Sequence, residues 1–209
     1  MNSKRIFMMV LVGFVVSGCA TMNEEQCVAT DWSAIGYEDG SRGYTSERFG
    51  SYRKACSKHG ITPDFRAYQE GRDEGLVEFC RPSKGYNLGV SGRSYNGVCD
   101  AALEEEFLDA YRVGRELYSL RANVSNANSR INSKEQQLED IRGTISEKEA
   151  TLIASDTLVQ DRVLVLKDLK ELSERAGELE AEIDDLIAER AKHEYALADY
   201  EQTVAAYGY

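Results

Sequence analysis

Few side chains in this 209-residue chain are of the types that make or break bonds, and they are five cysteines, two histidines and scattered acids. Cys27, Cys56, Cys80 and Cys99 contain no C-x-x-C spacing, so the close ligand pairs that zinc sites use are missing. An even set of this kind pairs when the compartment is oxidising, and three connectivities are open. The pairing Cys27–Cys56 with Cys80–Cys99 is favoured, because both close short sequential loops, each worth about 3 kcal/mol by restricting the unfolded chain. His59 falls at an expected helix end and His193 on a heptad seam, positions that suit a cap and a packed ring better than a base. Gly-x-Ser-x-Gly and phosphate-loop motifs are absent. Acidic pairs such as Glu24-Glu25, Asp73-Glu74 and Asp184-Asp185 would serve a glycosidase, but solvated helix faces explain them better. The expectation is therefore no catalytic residue, no cofactor and no metal, and a protein that is not an enzyme. One ligand candidate remains: Tyr86, Arg93 and Tyr95 in the glycine-rich stretch 83–97, where aromatic and guanidinium groups suit a sugar or small molecule.

The start of the chain fixes the expected compartment. Lys4-Arg5 precede an apolar run, Ile6 to Val16, too short for the roughly 20 residues of a membrane-spanning helix. It reads as an export signal. Val16-Ser17-Gly18-Cys19 then resembles the lipobox of bacterial lipoproteins, which implies a diacylated Cys19 as the mature N-terminus. Ala20 stands where an Asp resembles an inner-membrane retention signal, which points to a lipid anchor in the outer membrane facing the periplasm. Two or three acyl chains, at about 0.8 kcal/mol per buried methylene, would make that anchor effectively permanent. Export supplies the oxidising conditions that the other four cysteines need, and it makes cell-wall glycan the natural alternative ligand for the 83–97 loop.

Charge narrows the partners further. The formal net charge is −11, and residues 101–209 hold 24 acids against 13 bases. Such a chain repels nucleic acid and anionic lipid head groups, so the membrane is a partner only through the anchor.

The elements that must position these residues come in two kinds. Up to Tyr118 the unit Tyr-x-x-Gly recurs at Tyr37, Tyr68, Tyr86 and Tyr111, putting a ring beside a strip without side chains on one helix face. Helix interiors lose about 1 kcal/mol per glycine, so close helix packing is the expected compensation. Helices are expected over 32–43, from Ser46 to His59, and from Thr62-Pro63, with Thr62 as N-cap, to a point before Pro82. The stretch 83–97 is expected as a loop with at most one helical turn, closed by Cys80 and Cys99. Asp100 caps the next helix. From there a three-four alternation runs through Leu117, Leu120, Val124, Ala127, Ile131, Lys134, Leu138, Ile141, Ile145, Lys148 and Leu152.

A second seam runs from Leu158 through Arg162, Val165, Leu169, Leu172, Ala176, Leu179, Ile183, Leu186, Arg190, His193, Leu197 and Tyr200 to Val204. The two seams are out of phase across 154–157, where Thr157 and Gln160 fit a capping box. That break favours an antiparallel hairpin of two arms, each about 75 Å long at 1.5 Å per residue, over one rod of roughly 150 Å pairing between chains. In the hairpin Tyr200 and Tyr207 return beside Tyr111 and Tyr118. At the far end Leu158, Val159, Val163, Leu164, Val165 and Leu166 cover more of the helix than a two-helix seam buries. Either the stripe wraps the other arm, or it is exposed and grips a partner or another copy.

Several of these residues carry a resemblance. The lipobox, the start Trp32, Gly36, Tyr37, Asp39 and Gly40, the set Tyr68, Gly71, Gly75 and Leu76, the loop end Tyr95, Gly97, Val98 and Cys99, and the coiled-coil tail are together similar to an uncharacterised family of Gram-negative lipoproteins. That family is known only as a domain of unknown function. The resemblance implies periplasmic residence and supplies no activity, substrate or site residue.

The sequence thus predicts a mainly α protein. It comprises a signal peptide (1–18), a lipidated tether (19–30), a small disulfide-stapled Tyr/Gly-rich helical head (31–118) and a long antiparallel coiled-coil hairpin (119–209) turning near 154–157. The expected role is a non-catalytic envelope lipoprotein, structural or interacting with an envelope protein or with itself through the coiled coil. Glycan or small-ligand binding through the 83–97 loop is the alternative.

Overall fold

The computed structural model describes residues 22–206, so the export stretch, Cys19 and Tyr207 lie outside the described residues. Every regular element within them is a helix, and the chain divides into one unit ending at Phe79 and another beginning at Cys80.

The first unit holds α1 (Glu24–Ala29), α2 (Trp32–Ser41), α3 (Arg48–Ser57) and α4 (Phe65–Phe79). Part of the expected tether is thus helical. Asn23 Oδ1 accepts from the Gln26 amide at 2.8 Å, and Gln26 Oε1 accepts from the Asn23 amide at 3.0 Å, so a capping box starts α1. Cys27 of α1 is bonded to Cys56 of α3. The cap of α4 is Asp64, whose Oδ1 accepts from the Ala67 amide at 3.0 Å, and not Thr62. A short carboxylate one residue before the helix reaches the third helical amide, which a hydroxyl two residues earlier does not.

Between α2 and α4 the glycines set the distance. A Cβ on Gly36 or Gly40 would collide with the backbone of Tyr68 or Arg72, and one on Gly71 or Gly75 with the backbone of Ser33 or Tyr37. The two helices therefore run parallel and touch backbone to backbone, a contact only side-chain-free strips permit. Trp32, Phe49, Tyr52 and Tyr68 fill the space beside them, with ring centroids 4.9–6.2 Å apart, and bury the Cys27–Cys56 bridge among them.

The second unit holds α5 (Pro82–Val90), α6 (Ala101–Ile153) and α7 (Val159–Ala206). The stretch 83–97 is therefore not mainly a loop, because its first half is α5. Gly85 and Gly89 are packing surfaces: a Cβ on either would strike the backbone of Phe107 or Tyr111 in α6, just as one on Gly114 of α6 would strike the backbone of Tyr86. Tertiary packing, with Pro82 pre-set for the first turn, outweighs the poor helix propensity of these residues. Cys80 and Cys99 are bonded and bracket α5 and the short loop behind it.

Set beside each other, α2/α4 and α5/α6 are the same device built twice. Gly36, Gly40 and Gly43 correspond to Gly85, Gly89 and Gly92, both runs reading Gly-Tyr-x-x-Gly-x-x-Gly. Gly43 and Gly92 each end the run with φ near +70° (73° and 71°), and each lies under an aromatic ring, Phe79 in one pair and Tyr118 in the other. In the next position Arg72 donates to the Tyr44 carbonyl at 3.0 Å, and Tyr111 donates to the Arg93 carbonyl at 3.0 Å. Each pair also carries one disulfide joining the stretch before its first helix to the stretch before its second.

Beyond that pair α6 continues unbroken and α7 returns antiparallel to it, forming the coiled-coil hairpin. One continuous helix, α6, serves both the α5/α6 pair and the hairpin and runs through position 118 without a break. Leu117, Ala127, Ile131 and Leu138 of α6 are buried with Ala176, Leu179, Ile183, Leu186 and Val204 of α7. Arg121–Glu201, Arg130–Glu189 and Arg142–Glu180 pair across the seam at 2.7–3.0 Å. These exposed pairs fix register more than stability. Tyr200 returns to the α5/α6 end of the hairpin, its hydroxyl donating to the Val113 carbonyl at 3.2 Å, while burial and the nearby Glu116 raise its pKa.

Candidate functional site

Asp39 is the one buried charged side chain of the described core, 3% exposed on α2. Three donors hold it. Arg48 Nε donates to Oδ1 at 2.9 Å, while the hydroxyls of Tyr52 and Tyr68 donate to Oδ2 at 3.1 and 3.0 Å. Arg48 also donates to the Tyr52 hydroxyl at 3.2 Å, and its guanidinium lies 4.2 Å from the Tyr44 ring centroid. Burial, then the facing Asp39 carboxylate, push the Tyr68 hydroxyl well above the ordinary tyrosine pKa. Burial likewise raises Tyr52, against the opposing effect of Arg48. A carboxylate engaged on both oxygens by groups of its own fold is a structural polar core. In the second pair the equivalents of Asp39 and Tyr68 are Leu88 and Phe107, both buried, so the charge and the hydroxyl facing it are replaced together.

The expected ligand residues are not presented as a set. Tyr95 is half-buried, its hydroxyl donating to Glu104 Oε1 at 3.0 Å and accepting from the Cys99 amide at 2.8 Å. Its ring packs on Phe107 at 4.8 Å, and burial raises its pKa. Tyr86 is on α5, where its carbonyl meets Gly114, while Arg93 is exposed in the loop, its backbone fastened to Leu88 and Tyr111. Tyr95 thus closes the disulfide lobe. His59 is exposed behind α3, and His193 faces Glu189 at 3.6 Å. Among the described residues no cluster of His, Cys, Asp or Glu has the arrangement of a metal site, and no helix is long and apolar enough to cross a membrane.

The hairpin tip presents a surface of another kind. The turn is held by Thr157 Oγ1 donating to the Thr151 carbonyl at 2.7 Å and by Arg162 donating to the Ala154 carbonyl at 2.8 Å. The expected capping box is thereby displaced: the Thr157 hydroxyl is spent on closing α6, not on opening α7. Apolar side chains around this turn face solvent, with Ile153 and Val159 each 81% exposed and Val163, Leu164 and Leu166 each more than half exposed. Of the expected patch, only Val165 is half-buried, on the seam side. The stripe does not wrap the other arm.

Helix pairs locked by glycine contacts and disulfides, followed by a coiled-coil hairpin, define a mainly α protein with a cluster of exposed apolar side chains at the hairpin turn. Residues 31–116 are similar to the family described as Protein of unknown function (DUF2799). The match opens at the Asp31 cap of α2 and closes at Glu116, so it takes in both glycine-packed pairs and leaves the length of the hairpin outside. No curated protein and no solved structure matches the chain.

Proposed function

We propose that this protein is a non-catalytic envelope lipoprotein that works by protein interaction, presenting the hairpin tip as its contact surface. The exposed apolar tip carries the reading, because exposed apolar clusters of this kind on soluble folds mark interaction sites. The lipobox resemblance at Val16-Ser17-Gly18-Cys19 supports a lipid anchor, and Ala20 supports the periplasmic face of the outer membrane. Two largely buried disulfides fit an oxidising compartment. A non-catalytic role is supported by the saturation of Asp39 within its own core. Glycan binding through 83–97 loses its main support, since Tyr95 is consumed in closing the lobe.

The test is crosslinking in intact cells from a photoreactive group at Val159, read by mass spectrometry against the same group at Glu178, an exposed mid-arm position. A defined protein neighbour at Val159 and not at Glu178 is expected. Only unrelated abundant proteins at both positions would refute the reading.

A further inference from the structure

Gly50 differs from the other glycines in the helices of the first unit. Gly36, Gly40, Gly71 and Gly75 each face the backbone of a neighbouring helix, whereas a Cβ on Gly50, in the body of α3, would meet nothing within 4 Å. A glycine inside a helix costs about 1 kcal/mol relative to alanine, and here no close helix contact offsets that cost. Gly50 instead floors a groove of about 430 Å³ between the first half of α3 and the start of α4. Phe49 and Phe65 border it as a tilted ring pair with centroids 5.0 Å apart, and Pro63 continues the apolar wall. Phe49 is buried, while Phe65 leaves half its surface open. Arg53 also lines the groove, and among the described residues its guanidinium has no ion-pair or hydrogen-bond partner. We infer that this groove binds a small amphipathic anion, its apolar body lying on Phe65, Pro63 and Gly50 and its carboxylate or equivalent group meeting Arg53.

Size and charge select that occupant. Clefts of about 300–1,000 Å³ with apolar, aromatic walls and a few polar groups are those that take small molecules. Residues 42–58 hold Arg42, Arg48, Arg53, Lys54 and Lys58 against Glu47 alone, so this surface attracts anions although the chain as a whole carries −11. Arg42 is paired with Glu38 and Arg48 with Asp39, which leaves Arg53 as the guanidinium that lines the groove and is free to meet a ligand. A guanidinium fork receives a carboxylate through two parallel hydrogen bonds. Gly50 lies three residues after Glu47 and three before Arg53, so the two charges flank the bare floor from opposite sides. Glu47 repels a second negative group, and the ligand therefore carries its charge at one end.

The test uses 4-phenylbutanoate as the probe and the full chain as the receptor. Trp32 is the single tryptophan, and its ring centroid lies 6.1 Å from that of Phe49, so its emission reports on the groove. Equilibrium dialysis should show saturable binding of the probe, and Trp32 emission should change over the same concentrations. Gly50→Leu puts a side chain into open space, so it should keep the helical fold by circular dichroism while lowering the affinity about ten-fold or more. Arg53→Gln should weaken binding of the acid about ten-fold and leave that of 4-phenylbutan-1-ol unchanged, and Arg53→Lys should recover part of the loss. Full affinity retained in Gly50→Leu, equal binding of acid and alcohol by the unaltered chain, or no binding at millimolar probe would each overturn the inference. So would a photoreactive group at Lys54 that joins a defined protein or a second copy of this chain while the probe has no effect, since the groove would then be a docking surface.

Discussion

Asp39 and Tyr68 show how one backbone device accepts two kinds of filling. Removing Asp39 alone leaves two hydroxyls in a closed core, each costing about 1–3 kcal/mol when unpaired, while the half-exposed Arg48 can turn to water. Asp39→Leu should therefore destabilise the protein by about 3 kcal/mol in urea unfolding. The Asp39→Leu/Tyr68→Phe pair, which copies Leu88 and Phe107, should lose less than the sum of the singles. The same variants carry a pH signature. A tyrosine whose folded pKa is raised contributes stability that is whole below the unfolded value near 10 and falls as pH climbs toward the folded value. Alkaline loss of stability should thus be shallower once Tyr68 is Phe. Little of this was legible beforehand. Asp39 could be read only as part of a motif, since nothing in a lone acid between Glu38 and Gly40 says that Arg48, Tyr52 and Tyr68 converge on it.

At the level of helices, the fourteen glycines described by position fall into different physical classes, which sequence alone does not sort. Gly36 and Gly89 lie where a methyl group would enter the backbone of a partner helix, while Gly143 and Gly177 have open space around theirs. Gly143→Ala and Gly177→Ala should each stabilise by up to about 1 kcal/mol, the helix-propensity difference, and Gly36→Ala and Gly89→Ala should destabilise by more than that. Thermal melts of the four variants distinguish the classes. Periodic elements were readable, since the two heptad seams give both arms, their antiparallel sense and the turn. What escaped was α5, because four glycines in 83–97 look like a loop until α6 is laid against them, and α1, whose Asn23–Gln26 box sits in a stretch too short to show periodicity. Thr157 misled for a related reason: one hydroxyl can serve either side of a turn.

For the whole chain, the stretch similar to a family and the stretch shaped as a hairpin divide the work. The glycine-packed pairs repeat one construction, whereas the hairpin owes its stability to a single seam. Leu179, fully buried on that seam, should cost about 2–5 kcal/mol as Leu179→Ala, while Leu164→Ala at the exposed tip should change stability by no more than about 0.5 kcal/mol. Circular dichroism melts compare them directly. The continuity of α6 has a mechanical consequence. From the ring of Tyr118, which covers Gly92, to Ile153 the helix extends for about 50 Å at 1.5 Å per residue. It is a lever whose fulcrum is the α5–α6 crossing. A tilt of about 5° at that crossing swings the tip by roughly 4 Å over such an arm. Contact between bare backbones at Gly85, Gly89 and Gly114 leaves no soft side chain to absorb such a tilt. A single methyl group added at Gly89 would therefore be felt at the far end of the hairpin as a change of aim.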